Sequence, residues 1–232
     1  MEKEILKIKI DKGKNIDILF KSELENQKTI KMIKKGVLNS FNYFNNVKTI
    51  KFTIELIYSR KEFDKMIGSK TESWVTAHSF GNRFIIFSPS EIEKCTSHRR
   101  NEFMPIISHE TSHVLLKKLN TNFCTWMNEG IAQYTADQER KEKIKLKNIS
   151  CFFNDSLFKN SNYDRFISRQ GYEISYKLVN YLMANYSKKI IIKLLQVKYD
   201  FVKSSEKDVC KILNTNKDKL IAQFEEVLEN SQ

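Results

Sequence analysis

An α+β fold is predicted by three features of the sequence. Before residue 90, short β-branched segments alternate apolar and polar side chains with the period of a pleated strand. After Ser88 the character changes, and apolar residues recur at helical spacing almost to the end. Two prolines and six glycines in 232 residues leave no room for a Pro/Gly-rich linker. The expected organisation is therefore an N-terminal α/β lobe over residues 1–100 and a helical lobe over residues 101–232, with no boundary segment of its own.

Each element follows from local pattern. Residues 4–10 and 16–20 alternate as short strands. Residues 23–45 read as a helix, because Ile30, Ile33, Val37, Leu38 and Phe41 recur on one face. The run TIKFTIELIY, residues 49–58, is a β-branched strand, and residues 61–67 form a short helix. Residues 74–78 and 83–88 are expected as two further strands joined by a turn over 79–82. Pro105 suits the first turn of a helix and disfavours α geometry at Met104, so a helix is expected from about Pro105 to Leu119, stopped by Asn120. A second helix follows over 125–137, and the basic, polar stretch 138–148 reads as a helix tail or surface loop. Residues 171–186, 188–197, 207–213 and 217–229 complete the helical set.

The composition bounds the classes of function. The chain is long enough to bury a core without disulfides. Its four cysteines, Cys95, Cys124, Cys151 and Cys210, form no CxxC pair and no Cys/His cluster, which argues against a thiolate zinc site and a disulfide framework. Charges interrupt every apolar stretch near the N-terminus, so no signal peptide is expected there. No apolar run approaches the roughly 20 residues of a membrane span. A soluble, cytoplasmic protein without a membrane partner is expected. Lys+Arg number 40 against 28 Asp+Glu, a formal charge of +12. Such an excess fits a nucleic acid, a membrane surface or an acidic substrate. The lysines are spread along the chain, however, mostly at positions expected on solvated helix faces, and no reader motif accompanies them.

The chemistry is concentrated in the Pro105 helix, which carries His109-Glu110-Thr111-Ser112-His113. Two histidines four apart lie one above the other on a helix face, close enough to grip one zinc ion. Glu110 lies beside that face, within reach of water at the metal. These are two of only four histidines in the protein. A catalytic zinc site needs a third protein ligand. The residues after His113, Val114 to Leu119, include no glycine and no third histidine, which excludes the extended histidine pattern of metzincins. Glu129 follows sixteen residues after His113, within WMNEGIAQY. His113 would lie roughly 9 Å from the end of its helix and Glu129 roughly 6 Å from the start of the next. An antiparallel hairpin through 120–124 brings them to similar depth, and Gly130 is expected to let the two helices approach. The alternative is an ordinary first-turn glutamate favoured by the helix dipole.

HETSH followed by WMNEGIAQY resembles the HExxH and W-x-x-E-G-x-A pairing of the gluzincin metallopeptidases, which include thermolysin-like endopeptidases, the aminopeptidase N group and many small bacterial relatives. The resemblance is specific over residues 105–134 and suggestive over about 49–230. It implies a zincin-like fold with the active site between the two lobes. It further implies one zinc ion per chain held by His109, His113 and Glu129, with Glu110 as general base. Two departures stand out: the interval between His113 and Glu129 is shorter than in the best-known members, and Gln133 occupies the position of their aspartate. The strands over 74–88 resemble the edge strand that gluzincins lay along a substrate. The segment Gly171-Tyr172-Glu173-Ile174-Ser175-Tyr176 resembles the helix carrying the family's transition-state tyrosine, which favours Tyr172 as oxyanion donor with Tyr176 as fallback.

These readings combine into an expected function: hydrolysis of peptide bonds in a peptide or protein substrate by zinc-activated water. No Gly-x-Met-Glu-Asn string precedes HExxH between residues 49 and 105, which favours an endopeptidase over an aminopeptidase. Two alternatives remain: a catalytically silent zincin-fold binding protein, and a basic nucleic-acid-binding protein, the second not favoured. His78 and His98 are expected to be turn, loop or surface residues.

Overall fold

A computed structural model of the chain describes residues 3–11, 13–21, 26–44, 47–119, 124–139, 143–152, 163–197 and 206–229. The chain divides into two compact units, Met1–Lys118 and Leu119–Gln232. The mixed α+β class expected from the sequence is present, with every described strand in the first unit.

Five strands build the first unit: β1 (Glu4–Asp11), β2 (Lys14–Phe20), β3 (Ile50–Ile57), β4 (Ala77–Phe80) and β5 (Arg83–Phe87), in spatial order β1-β2-β3-β5-β4. β1 and β2 pair antiparallel, β2 with β3 and β3 with β5 parallel, and β4 returns antiparallel along β5. Because side chains alternate across a pleat, the register puts Ile8, Ile16, Ile18, Phe52, Ile54, Leu56, Phe84 and Ile86 on one face, all buried. On the opposite face Phe87 stacks on Phe63 of helix α2 (Arg60–Ile67), with ring centroids 4.7 Å apart.

The edge hairpin differs from expectation. β4 occupies 77–80 rather than 74–78, and Ser79 and Phe80 belong to the strand rather than to the turn. The loop is only Gly81 and Asn82, with Gly81 at φ +65°, as a tight hairpin with glycine at its first loop position requires. The reason is tertiary. The Arg60 guanidinium donates to the Val75 carbonyl and the Thr71 hydroxyl, at 3.1 and 2.7 Å, and lies 4.7 Å over the Phe87 ring. Those bonds tie residues 71–75 to α2, and strand pairing starts later than the side-chain pattern alone suggests.

Helix α1 (Gln27–Tyr43) starts at Asn26, whose side chain accepts from the Lys28 and Thr29 amides at 2.9 and 3.2 Å. Residues 23–25, where the sequence expectation begins this helix, lie outside the described residues. Its buried stripe is Ile30, Ile33, Val37 and Phe41, whereas Leu38, expected in that stripe, is 42% exposed. After the short helix α3 (Ile92–Cys95) and a 3-10 turn at Arg100–Glu102, neither anticipated, helix α4 runs Phe103–Leu119 with Pro105 in its first turn. Small residues bring α1 and α4 together. The Ser40 hydroxyl donates to the Ser108 carbonyl at 2.6 Å, and the Ser112 hydroxyl reaches Ser40 at 3.1 Å and the Ser108 carbonyl at 2.9 Å. One turn earlier on α1, a Cβ on Gly36 would stand 2.8 Å from both the Ile107 Cγ2 and the Met104 carbonyl oxygen.

The second unit is helical: α5 (Thr125–Ala136), α6 (Leu146–Phe152), α7 (Tyr163–Ser168), α8 (Gly171–Asn185), α9 (Lys188–Leu195), α10 (Glu206–Leu213) and α11 (Lys217–Glu229). α6 and α7 were not anticipated, although α6 begins inside the stretch assigned to a tail or loop. The Asn120 stop, most of the 120–124 turn and residues 140–142 lie outside the described residues. α5 and α8 form the core contact. A Cβ on Gly130 would lie 2.6 Å from the Ser175 carbonyl oxygen and 2.8 Å from Val179. Gly130 therefore serves the approach of α8, which corrects the expectation that it serves the helix carrying the histidines. Tyr181 meets Phe224 of α11 edge-on, at 6.1 Å between centroids. No helix among the described residues is long and apolar enough to cross a membrane.

The α1–α4 seam sets up a competition with a known sign. Alanine in place of a helix-interior glycine gains about 1 kcal/mol of helix propensity, but overpacking against a backbone carbonyl costs about 1–3 kcal/mol. Gly36→Ala is expected to lower the urea midpoint without changing the slope of the unfolding transition. A variant at or above wild-type stability would show that the seam opens at no cost.

Candidate metal centre

Helix α4 is buried on most of its circumference. Ile106, Ile107, Ser108, Thr111, Ser112, Val114, Leu115 and Leu116 are all buried, while His109, Glu110 and His113 are half-buried. Ser108 and Ser112, which hold α1, immediately precede His109 and His113, so the seam fixes the rotation of the helix and thereby the direction of both imidazoles. Their Nε2 atoms stand 3.0 Å apart, with ring centroids 4.6 Å apart and planes at 83°.

Glu129, on the second turn of α5, completes a group in which one ligand atom from each of His109, His113 and Glu129 lies within 4.8 Å of the others. Its residue is 9% exposed. The donor set suits a transition-metal ion. Two imidazole nitrogens at about 2.0–2.1 Å from one tetrahedral ion would stand about 3.4 Å apart, close to the spacing seen. In the contact as it stands one ring nitrogen must donate and the other accept, and an ion held by both would take the place of that shared proton. Two nitrogens and a carboxylate fit zinc, and do not by themselves separate it from iron, cobalt or nickel.

Glu110 is not in this group. Its Oε2 accepts from the Ser79 hydroxyl at 2.7 Å, so a carboxylate one residue beyond a ligand histidine is held by β4. Sequence reasoning missed Ser79 by assigning it to a turn. The recoverable signal was the alternation of His78, Ser79 and Phe80, which places Ser79 on the face of the sheet that carries Phe84 and Ile86.

Other residues singled out from sequence have these partners. Tyr172 of α8 packs edge-on against Phe166, at 5.2 Å between centroids, and Tyr176 is buried. His78 is exposed and meets Phe80 edge-on at 4.6 Å. His98 Nε2 contacts the Trp74 carbonyl at 3.1 Å. One turn after Glu129, Gln133 is buried with its carbonyl oxygen unpartnered among the described residues, as is the Ser175 hydroxyl, each a cost of about 1–3 kcal/mol. The four cysteines are free thiols. Burial pushes the Cys124 thiol far above its ordinary range, outweighing hydrogen bonds that act the other way, so Cys124 stays protonated and is a poor ligand.

No protein-family model matches the chain. Ribonuclease E of Buchnera aphidicola subsp. Schizaphis graminum is 28% identical over 200 residues, which cover 80% of this chain and 20% of that protein. The chain thus spans about a fifth of the length of the curated relative it matches. This finding corrects the expectation of peptide-bond hydrolysis, because the relative is by name a ribonuclease and not a peptidase. Of the readings drawn from the sequence, the nucleic-acid alternative now stands better than the endopeptidase.

Zinc retention after dialysis is the direct check on the group. Wild-type protein should hold about one ion per chain, and His109→Ala, His113→Ala and Glu129→Ala should each lose it, since three protein ligands are the usual minimum of an open site. Ser79→Ala should retain zinc in full. Undiminished zinc in Glu129→Ala would remove that residue from the ligand set.

Proposed function

We propose that this protein engages RNA and acts on it hydrolytically through a metal centre formed by His109, His113 and Glu129, with zinc as the ion. The observation that carries the hydrolytic part is the separation of roles within α4: two histidines in a ligand group, and the adjacent Glu110 held outside it by Ser79. A purely structural site has no use for such a carboxylate. Support for RNA comes from the +12 charge and from the likeness to Ribonuclease E. The resemblance to gluzincins, and the zincin-like description of the fold, are kept as part of the proposal for the metal site alone. A cytoplasmic location belongs with an RNA substrate.

A divalent ion held there would supply Lewis acidity and lower the pKa of bound water towards about 7. The chain's own part is to hold and move protons. Glu110 accepts the proton of the attacking water and returns it to the leaving oxygen, while the Ser79 hydroxyl orients the carboxylate. His109 and His113 would have to be neutral to serve as ligands, so protons compete with the metal and acid should weaken metal retention and activity together.

Cleavage of a labelled single-stranded RNA by zinc-loaded protein tests the proposal. Glu110→Gln should bind the RNA and keep its zinc while cleavage falls at least about 10²-fold. Absence of RNA binding at low salt, or cleavage of RNA undiminished in Glu110→Gln, would overturn the reading. So would an unbiased peptide mixture cut by wild type and spared by Glu110→Gln while RNA is left intact.

A further inference from the structure

The lysine excess is spread evenly in the sequence but not on the folded chain. Helix α1 contains Lys28, Lys31, Lys34 and Lys35 and no aspartate or glutamate. All four are exposed. At 3.6 residues per turn they fall within an arc of about 120° and extend about 10 Å along the axis. The buried stripe of Ile30, Ile33, Val37 and Phe41 occupies the neighbouring arc, with Lys34 bordering Phe41. Some lysines elsewhere are neutralised: Lys3 lies 2.6 and 2.7 Å from Glu55 and Glu62, Lys51 3.1 Å from Asp17 and Lys94 2.9 Å from Glu91. Among the described residues none of the four α1 lysines forms an ion pair. α2, of the same unit, sets Glu62 and Asp64 among its three basic residues, and α11 carries more acids than lysines.

Like charges three and four apart on a helix repel by about 0.2–0.5 kcal/mol per pair. The pairs Lys28–Lys31, Lys31–Lys34 and Lys31–Lys35 therefore oppose the helix, which survives because its other face is buried. A polyanion laid along the exposed arc removes that repulsion. An amphipathic helix that lies in a lipid surface needs a free apolar face, and here that face is consumed by the core.

We propose that the exposed face of α1 is the surface that grips the phosphate backbone of the RNA. This inference rests on the RNA reading above and names the contact surface for it. The contacts are to phosphates, so they confer affinity without base preference, and the strand is held by a different element from the one that carries the metal ligands.

Salt dependence reads the contact count directly. Each neutralised phosphate of a single strand contributes a slope of about −0.7 to log K against log salt. Binding of a labelled oligouridylate is measured by anisotropy between about 50 and 200 mM KCl for wild type and for the Lys28→Gln, Lys31→Gln, Lys34→Gln, Lys35→Gln variant. Glutamine keeps the helix propensity, and circular dichroism checks the fold. The variant slope should be shallower by about 2.8, so that over this range it loses about 50-fold less affinity than wild type. If the quadruple variant fails to fold, Lys31→Gln and Lys35→Gln singly should each flatten the slope by about 0.7. Wild type that binds RNA with a slope unaltered in folded variants would overturn the assignment of α1 while leaving the RNA reading intact. The same holds if Lys188→Gln, Lys189→Gln, Lys193→Gln in α9 flattens the slope instead. Loss of binding to phosphatidylserine vesicles with the RNA slope unchanged would assign the face to lipid and overturn it too. Wild type that binds no RNA at the lowest salt ends both proposals together.

Discussion

The metal centre depends on how far α4 is rotated about its own axis, and that rotation is set by a seam of small residues. Gly36 and Ser40 on α1 face Ile107, Ser108 and Ser112 on α4, with the Ile107 side chain against Gly36 and three hydroxyls sharing hydrogen bonds. A helix turns by about 100° per residue, so the side adjacent to the seam is occupied by the next residue in sequence. His109 and His113 are those residues. A slip of one position would bury the imidazoles against α1 and present Glu110 and Val114 in their place. The close-packed, buried seam leaves no low-cost intermediate rotation.

The same unit controls the carboxylate that the ligand group leaves out. Arg60 ties the segment before β4 to α2 and to Phe87, and β4 then pairs with β5 in the register that turns Ser79 toward α4. The Ser79 hydroxyl meets Glu110 at 2.7 Å. A free glutamate one residue from a ligand histidine could swing to the metal and close its open position. A hydrogen bond from a rigid strand disfavours that by about 1.5–3 kcal/mol, the usual worth of a bond to a charged group. The chain thus holds Glu110 apart from the candidate ligand group by a bond from a strand rather than from its own helix.

Much of this was legible in the sequence because the signals were local. The spacing of His109 and His113 needs only the helical period, although their helix starts at Phe103 and takes in Met104, two residues before the expected start at Pro105, and β3 and β5 are dense in β-branched and aromatic residues. The fold class followed from the change in periodicity near Ser88. What was not legible depends on distant partners. The start of β4 is set by Arg60, many residues upstream. Gly130 looked available to the histidine helix but is filled by the Ser175 carbonyl of α8, a contact that no spacing rule announces. Leu38 fits the helical stripe of α1 by type but falls on the lysine side of it. The functional class was misread for a different reason: HExxH describes how a metal is held, and says nothing of what is hydrolysed.

X-ray absorption at the zinc edge of the loaded protein addresses the metal centre directly, without relying on any substrate. The arrangement of His109, His113 and Glu129 requires a first shell of nitrogen and oxygen at about 2.0–2.2 Å, with the multiple-scattering signature of two imidazoles. A sulfur scatterer near 2.3 Å, or a shell with fewer than two imidazoles, would contradict the account, because the metal would then be held by residues other than those that α4 presents.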